Sequence, residues 1–519
     1  MAWEREIEEL EQRRAFAAEL GGEEGIARQR RRGKLTVRER IDLMADKDSW
    51  QEFRSLLGQG EYDDEGKLTS FTPKGSVEGT MRLNDRKVVV SAGDFTVRGG
   101  SGGSMGGIGQ EIRASERARR WRLPYVRLLD SAGGSVRHFE EIGHTYLPDG
   151  NEWSQIEVGL LSQVPVVSAV MGSVAGLPAV DACIAHFNLM VSGISQLFPG
   201  GPPVVKASLG YDITKEDLGG EDVHIHGATG AVDNLAETED HAFAMIRDFL
   251  SYLPPSVWEM APRQEIGDDP QRRDEWLIDA IPHNRRRPYD IRKIIGSVVD
   301  QGSFFEIAPL YGKARVTGLA RIDGYPCAVM GNNPYHQGGA TGPQEGDKVI
   351  RLLSLADTFH LPIISFADEP GFLVGLEAEK MGIERAGARL VAAVCESRAP
   401  WLAIVTGQLF GVAGQCQHRP SGMFERFVWP SAAWGSMHIE GGTHAAYRRQ
   451  IDDADDPVAE ERRIEATLKA IASPFRTAES SGQEIIDPRD SRPLAVEFVR
   501  DAQAILRDQV GPPVAPYRP

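Results

Sequence analysis

Leu123-Pro124-Tyr125-Val126-Arg127-Leu128-Leu129-Asp130-Ser131-Ala132-Gly133-Gly134, followed by Val164-Pro165-Val166-Val167-Ser168-Ala169-Val170-Met171-Gly172-Ser173-Val174-Ala175-Gly176, decides the fold, because the chain carries the pattern twice. The second copy is Leu361-Pro362-Ile363-Ile364-Ser365-Phe366-Ala367-Asp368-Glu369-Pro370-Gly371-Phe372, then Ala399-Pro400-Trp401-Leu402-Ala403-Ile404-Val405-Thr406-Gly407-Gln408-Leu409-Phe410-Gly411. Asp130 and Asp368 each lie six residues after the first proline of their copy; glycines lie seven and eleven after the second. Only the gap between the prolines differs, 41 against 38 residues. Each copy reads as a strand buried on both faces entering a turn, then a second such strand entering a Gly-x-x-x-Gly turn. Glycine permits a sharp turn and close approach to a ligand, and a helix starting there aims free N–H groups at it. The two turns are therefore candidate oxyanion holes.

A chain of 519 residues exceeds one ordinary core, and the repeat predicts two similar domains, 1–265 and 266–519. With 41% hydrophobic and 26% charged residues the composition is that of a globular protein. The net charge of −17 argues against a general nucleic-acid binder, though not against a local basic patch. Cys183, Cys327, Cys395 and Cys416 are widely separated, which fits a reducing compartment and argues against a disulfide scaffold or zinc ribbon. There is no run of about 18 apolar residues to span a membrane and no signal or transit pattern at the start.

Residues 1–45 have helical spacing, with a capping box predicted at Thr36-Val37-Arg38-Glu39. The basic cluster from Arg28 to Lys34 is either a solvated helix face or a contact for ligand phosphates. Residues 70–97 alternate as an antiparallel meander turning at Asn84-Asp85, mirrored later by a turn at Asp323-Gly324. The Gly-rich run Arg98–Gly107 precedes a helix from Gln110; it suits a phosphate or a backbone-clamped ligand, or is a surface loop. It lacks the Lys-Ser/Thr of a P-loop and the setting of a dinucleotide fingerprint. Residues 255–285 read as an interdomain link, and the chain closes with a helix over 457–471 and a Pro-rich tail. His224-Ile225-His226 would face one way on a strand, but no third metal ligand accompanies it and a polar loop is favoured. His138, His336, His438 and His444 are unranked candidates for lining a site.

From Gly33-Lys-Leu-Thr-Val-Arg-Glu-Arg-Ile41 to Ile486-Asp-Pro-Arg-Asp-Ser-Arg492 the chain resembles the carboxyltransferase (β) subunits of biotin-dependent acyl-CoA carboxylases. Thr96–Ser101, Gly201–Ala207, Asp217–Gly220, Gly371–Gly375, Gly387–Ala393 and Trp429-Pro-Ser-Ala432 look like the methylcrotonyl-CoA and propionyl-CoA carboxylase type. The resemblance implies an α/β fold of two tandem crotonase-like ββα-superhelix domains. It also implies a hexamer, a dimer of trimers, with the active site shared between subunits. The reaction it implies moves the carboxyl group of carboxybiotin to the enolate, or vinylogous enolate, of an acyl-CoA thioester. Each anion, on the thioester oxygen and on the biotin ureido oxygen, needs preorganised donors, which accounts for a duplicated turn. Removal of the proton by the ureido nitrogen itself requires no paired catalytic carboxylates, and none is evident.

Carried over by position, the thioester hole falls at Gly176 and Leu177, and the ureido hole at Val412 and Ala413 beside Gly411, with Gly414 and Gln415 also at biotin. Gly99, Gly100, Ser101, Gly133, Gly134 and Lys206 would lie near coenzyme A. Each such glycine also fits a plain tight turn, and Lys206 a solvated surface position. The chain departs from the family pattern at Leu177, Ala132, Val412, Gly414 and Gln415; backbone donors survive such changes, but the acyl pocket is altered. No metal is implied. The chain has neither a biotin-acceptor Met-Lys-Met nor an ATP-grasp pattern, so the biotin carrier and biotin carboxylase are expected to be separate partners. The expected compartment is the bacterial cytoplasm. Two alternatives stay open: the carboxyltransferase of a biotin-dependent acyl-CoA decarboxylase, and a non-catalytic scaffold.

Overall fold

The computed structural model describes residues 3–100, 113–134, 136–145, 147, 151–265, 267–285, 287–419 and 421–519. The chain divides into two compact units between Trp258 and Glu259. That division precedes the sequence estimate because Arg263 and Gln264 hydrogen-bond to Asp323 and Gly324, which anchors the start of the expected link to the second unit. No helix among the described residues is long and apolar enough to cross a membrane.

The first unit contains β1 (Gln51–Phe53), β2 (Gly58–Tyr62), β3 (Leu68–Pro73), β4 (Ser76–Leu83), β5 (Arg86–Gly93), β6 (Tyr125–Ser131), β7 (Val166–Ala175), β8 (Phe187–Val191), β9 (Gln196–Phe198) and β10 (Asn234–Ala236). Its main sheet runs β1-β4-β5-β6-β7-β8-β10, with β9 paired to the far end of β7, while β2 and β3 form a separate ribbon. The β4–β5 hairpin is antiparallel and turns at Asn84 and Asp85, both at positive φ. From β5 to β8 each step is parallel, so helices must carry the chain back across the sheet. Val166 to Val170 are wholly buried, as a strand covered on both faces requires.

The second unit repeats the plan with β11 (Phe305–Ile307), β12 (Arg315–Ile322), β13 (Tyr325–Asn332), β14 (Ile363–Glu369), β15 (Trp401–Phe410), β16 (Phe424–Val428) and β17 (Ala433–Gly435). Its order is β11-β12-β13-β14-β15-β16, with β17 on the far end of β15. The β12–β13 hairpin turns at Asp323-Gly324, and β13 to β16 are parallel. The helix Ser491–Asp508 buries Ala495, Val496, Val499, Ala502 and Leu506 in this unit's core beside Ile295, Phe366 and Trp429.

The repeat extends to side chains. Gly172 and Gly407 lie inside β7 and β15 rather than in turns, since both strands continue past them. A Cβ at Gly172 would stand 2.1 Å from the Asp130 carboxylate, and one at Gly407 would stand 2.2 Å from that of Asp368. Each glycine leaves room for the aspartate one residue before the end of the neighbouring strand. The aspartates are held differently. Asp130 accepts Lys34 Nζ at 2.7 Å, Arg40 Nη1 at 3.0 Å and Gln29 Nε2 at 3.1 Å. Asp368 accepts the Tyr289 hydroxyl at 2.8 Å and the Gln408 N–H at 2.6 Å.

Candidate functional site

In the first unit, the carboxyl ends of β5, β6 and β7 bring four of the sequence-selected glycines together. The Ala132 N–H donates to Gly99 O at 2.8 Å, and the Ser131 hydroxyl donates to Gly100 O at 2.9 Å. Gly133 donates to Ser131 Oγ at 3.2 Å, and its backbone lies on the Ala175 carbonyl, one residue before Gly176. Gly134 is exposed at the rim, and Ser101 lies outside the described residues. Lys206 is not drawn into this cluster: it is 64% exposed on the helix Pro202–Leu209 and pairs with Asp212 at 2.8 Å.

Gly176 turns β7 into the helix Leu177–Cys183 at φ 70° and ψ −137°, a backbone region that glycine supplies without strain. Its N–H is already engaged, donating to Phe198 O at 3.2 Å and Pro199 O at 3.1 Å. This narrows the sequence expectation: Gly176 shapes the turn, but its N–H is not a free donor. In the first helical turn, Pro178 has no N–H, and Ala179 and Val180 donate back to Gly176 O. The Leu177 N–H alone in that turn has no acceptor among the described residues. The Leu177 side chain projects outward, 47% exposed.

Asp181 lies in the same helix. Burial pushes its carboxyl up to about 7, against the pull of Arg127, and Glu157 adds a further push. Asp181 Oδ1 is buried with no hydrogen-bond partner, as is Glu157 Oε1 nearby. Arg127 is committed to Glu157 Oε2 at 3.2 Å, Ser168 Oγ at 3.1 Å and the Ile184 carbonyl.

In the second unit β15 runs into the helix Gly411–Gln415, with Gly411 at φ 62°. Val412 projects outward, 49% exposed, whereas Ala413 is 1% exposed. Gly411, Val412, Gly414 and Gln415 line a cavity of about 440 Å³ with Leu409 and Trp434. A second cavity of about 760 Å³ lies at the ends of β14 and β15, lined by Gly338, Asp368, Gly371, Phe372, Gln408 and His438. Gly338 is the counterpart of Gly99, and Gly371 of Gly133. Gly371-Phe372 belongs to a family-like stretch of the sequence, Gly371–Gly375, to which the residues alone assign no role.

The histidines separate. His438 Nε2 donates to Pro370 O in the strand-end turn at 2.7 Å, and its ring centroid lies 4.0 Å from that of Phe410. His444 faces Glu461 at 3.5 Å, His336 is exposed, and the side chain of His138 lies outside the described set. His224 and His226 lie in a single π-helical turn rather than on a strand, and His224 is occupied by Leu197 O at 2.7 Å and Thr229 Oγ1 at 3.1 Å. No cluster of metal-ligating side chains occurs among the described residues. The basic cluster also disperses: Arg28 pairs with Glu24, Arg30 with Glu39, and Lys34 is buried on Asp130.

Comparison with known proteins agrees with this duplicated geometry. A family model for the carboxyl transferase domain matches residues 28–503. The propionyl-CoA carboxylase carboxyltransferase subunit of Haloferax mediterranei is 33% identical over 513 residues, 98% of each chain. The methylmalonyl-CoA decarboxylase subunit alpha of Veillonella parvula is 30% identical over 497 residues, 94% of each chain. Among solved structures, the transcarboxylase 12S hexamer core with hydrolysed methylmalonyl-coenzyme A aligns with a TM-score of 0.85 at 27% identity, covering 96% of this chain and 95% of that one. The chain belongs to the carboxyl transferase family, and its two units are crotonase-like domains. It is a carboxyltransferase of the type found in biotin-dependent acyl-CoA carboxylases and catalyses the carboxyl-transfer step.

Proposed function

We propose that the chain transfers the carboxyl group of carboxybiotin, held on a separate carrier protein, to the enolate of an acyl-CoA thioester. The observation that carries this reading is the repetition, in both units, of a positive-φ glycine between a buried strand and a short helix. Two anions develop in the reaction, and each unit offers one such turn. In the first unit the Leu177 N–H is the donor to the thioester oxygen, oriented by Gly176. Gly99, Gly100 and Gly133 bound the space through which the pantetheine thioester approaches; Ser101, Gly134 and Lys206 are assigned to coenzyme A on the resemblance alone. In the second unit the Val412 N–H, with Ala413 behind it, serves the ureido oxygen, and Gly411, Gly414 and Gln415 border the biotin ring. Biotin supplies the ureido nitrogen that delivers the carboxyl group and takes the substrate proton; the protein's task is to orient both substrates, exclude water and stabilise the two oxyanions.

Leu177, Gly414 and Gln415 depart from the family pattern and alter the pocket that sets which acyl group is accepted. Partners in this reading are a biotin carboxyl carrier with its biotin carboxylase, and further copies of the chain in a dimer of trimers, like the hexamer of the transcarboxylase 12S protein. The bacterial cytoplasm is the proposed compartment. The reverse direction is favoured by one observation, the 30% identity to a methylmalonyl-CoA decarboxylase subunit along nearly the whole chain. The test combines the chain, a carboxylated biotin carrier bearing labelled carboxyl, and acetyl-, propionyl-, 3-methylcrotonyl-, geranyl- and longer acyl-CoAs. Label entering one acyl-CoA supports the reading and names its substrate. No transfer to any of them, with label moving from a carboxyacyl-CoA to the carrier, would establish the decarboxylase direction instead.

A further inference from the structure

At the carboxyl end of the second sheet lies a buried polar hub centred on Glu369, whose counterpart position in the first unit carries the uncharged Ser131. Glu369, at the end of β14, is fully buried, as are Arg315, Asn332, Thr341 and Gln417. Glu369 Oε2 accepts Arg315 Nη2 at 2.6 Å, Thr341 Oγ1 at 2.6 Å, Gln417 Nε2 at 2.9 Å and Asn332 Nδ2 at 3.0 Å. Glu369 Oε1 accepts the Gly371 N–H at 3.0 Å. Arg315 Nη1 returns to Gln417 Oε1 at 2.8 Å, and Asn332 Nδ2 also reaches Gly339 O at 2.8 Å. The backbone reinforces the link: Thr341 donates to Gly371 O, and Leu373 donates to Thr341 O, both at 3.0 Å.

One carboxylate therefore ties together the Gly338-Gly339 turn, the Gly371-Phe372 turn and Gln417, which lies two residues past the Gly411 helix and donates its N–H to Gly414 O. The corresponding position in the first unit is Ser131, whose hydroxyl does a reduced version of the same job, joining Gly100 O to the Gly133 N–H. That serine makes no bond to the helix following β7. A charged hub is costly to bury, and apart from Arg315 Nε, which is buried without a partner, the atoms of this one are bonded, so its geometry is narrowly defined.

We propose that Glu369 is a positioning residue for the carboxybiotin half of the reaction, fixing the Gly371-Phe372 turn relative to the Val412 N–H. This rests on the assignment of the second unit to carboxybiotin. A shift of these turns of about 1 Å is worth roughly a hundredfold in rate. The experiment measures single-turnover label transfer from carboxylated carrier to acyl-CoA, varying each substrate in turn, for Glu369→Gln and Gln417→Met. Gln417→Met leaves the direct Arg315–Glu369 pair intact and removes only the two bonds Gln417 makes to it, Arg315 Nη1 keeping Asn332 Oδ1, so it keeps the test informative if Glu369→Gln fails to fold. The expected result is a fall of about tenfold to a hundredfold in kcat/KM for the carrier, smaller for Gln417→Met, with acyl-CoA binding within twofold of wild type. A folded Gln417→Met variant with carrier kinetics within twofold of wild type would overturn the proposal. Loss confined to the acyl-CoA parameters would instead overturn the assignment of this unit to carboxybiotin.

Discussion

Replacing Leu177 by proline deletes a single N–H at the place where the thioester oxyanion is proposed to form. Leu177 is the first residue of its helix, a position that proline favours because its fixed φ already suits it. Its N–H has no acceptor among the described residues, so no internal hydrogen bond is lost. The side chain is 47% exposed, so truncation to alanine forfeits only about 1 kcal/mol of burial. Loss of one oxyanion donor costs about 3–4 kcal/mol of transition-state stabilisation, a fall of roughly 10² to 10³ in kcat. Leu177→Pro is therefore expected to transfer labelled carboxyl at least about a hundredfold more slowly than Leu177→Ala, with both variants folded and both binding acyl-CoA. Gly176→Pro is a poorer probe, since φ 70° is closed to proline and the N–H it removes is bonded to Phe198 and Pro199. A folded Leu177→Pro variant within about threefold of Leu177→Ala would refute the claim that this N–H stabilises the developing charge.

Gly172→Ala and Gly407→Ala each drive a methyl group into a buried aspartate and should each lower stability by about 2 kcal/mol or more, read as a fall in melting temperature. Lys34→Met leaves Asp130 short of one counter-charge and should cost about 3–5 kcal/mol in denaturant unfolding. Asp181 gives a pH signature. Between its ordinary 3.8 and about 7 the folded protein holds a proton that the unfolded chain has released, so this group's contribution to stability falls as pH rises through that window. Asp181→Asn removes that slope, up to about 1.4 kcal/mol per pH unit, so the variant should gain on wild type in urea unfolding between pH 5 and 7.5; an equal difference at both pH values would show that Asp181 is ionised throughout.

The architecture was legible because strands buried on both faces leave a local signature. Val166–Val170 and Trp401–Val405 lie in β7 and β15, both hairpins turn at the quoted Asn-Asp and Asp-Gly pairs, and the Thr36–Glu39 capping box is formed. What failed to show were relations between distant residues. Gly172 and Gly407 read as turn glycines, yet they are strand glycines facing an aspartate on the adjacent strand. Lys34 read as part of a surface cluster, because nothing local announces a partner 96 residues away. The closing helix Ser491–Asp508 stands where a Pro-rich tail is expected from the sequence, although Val496, Val499 and Leu506 recur with near-helical spacing. At the candidate site the positions were legible, but the state of each N–H was not: that Gly176 is occupied and Leu177 free depends on where the carbonyls after β9 come to rest.

The way Asp130 is neutralised bears on how the protein tolerates trimming. The opening helix Glu4–Ala18 is largely exposed, and its loss would bare little beyond Leu68 and Phe71. Some fifteen residues further on, the chain delivers Gln29, Lys34 and Arg40 to a carboxylate at the heart of the first unit. A protease nick or an affinity tag ahead of Glu19 should be tolerated, since Leu20 and Gly21, which bonds Thr96, are kept. A cut beyond Arg40, in a stretch that looks like a dispensable leader, would strip an interior anion of all three of its escorts and leave the sheet unable to close around it.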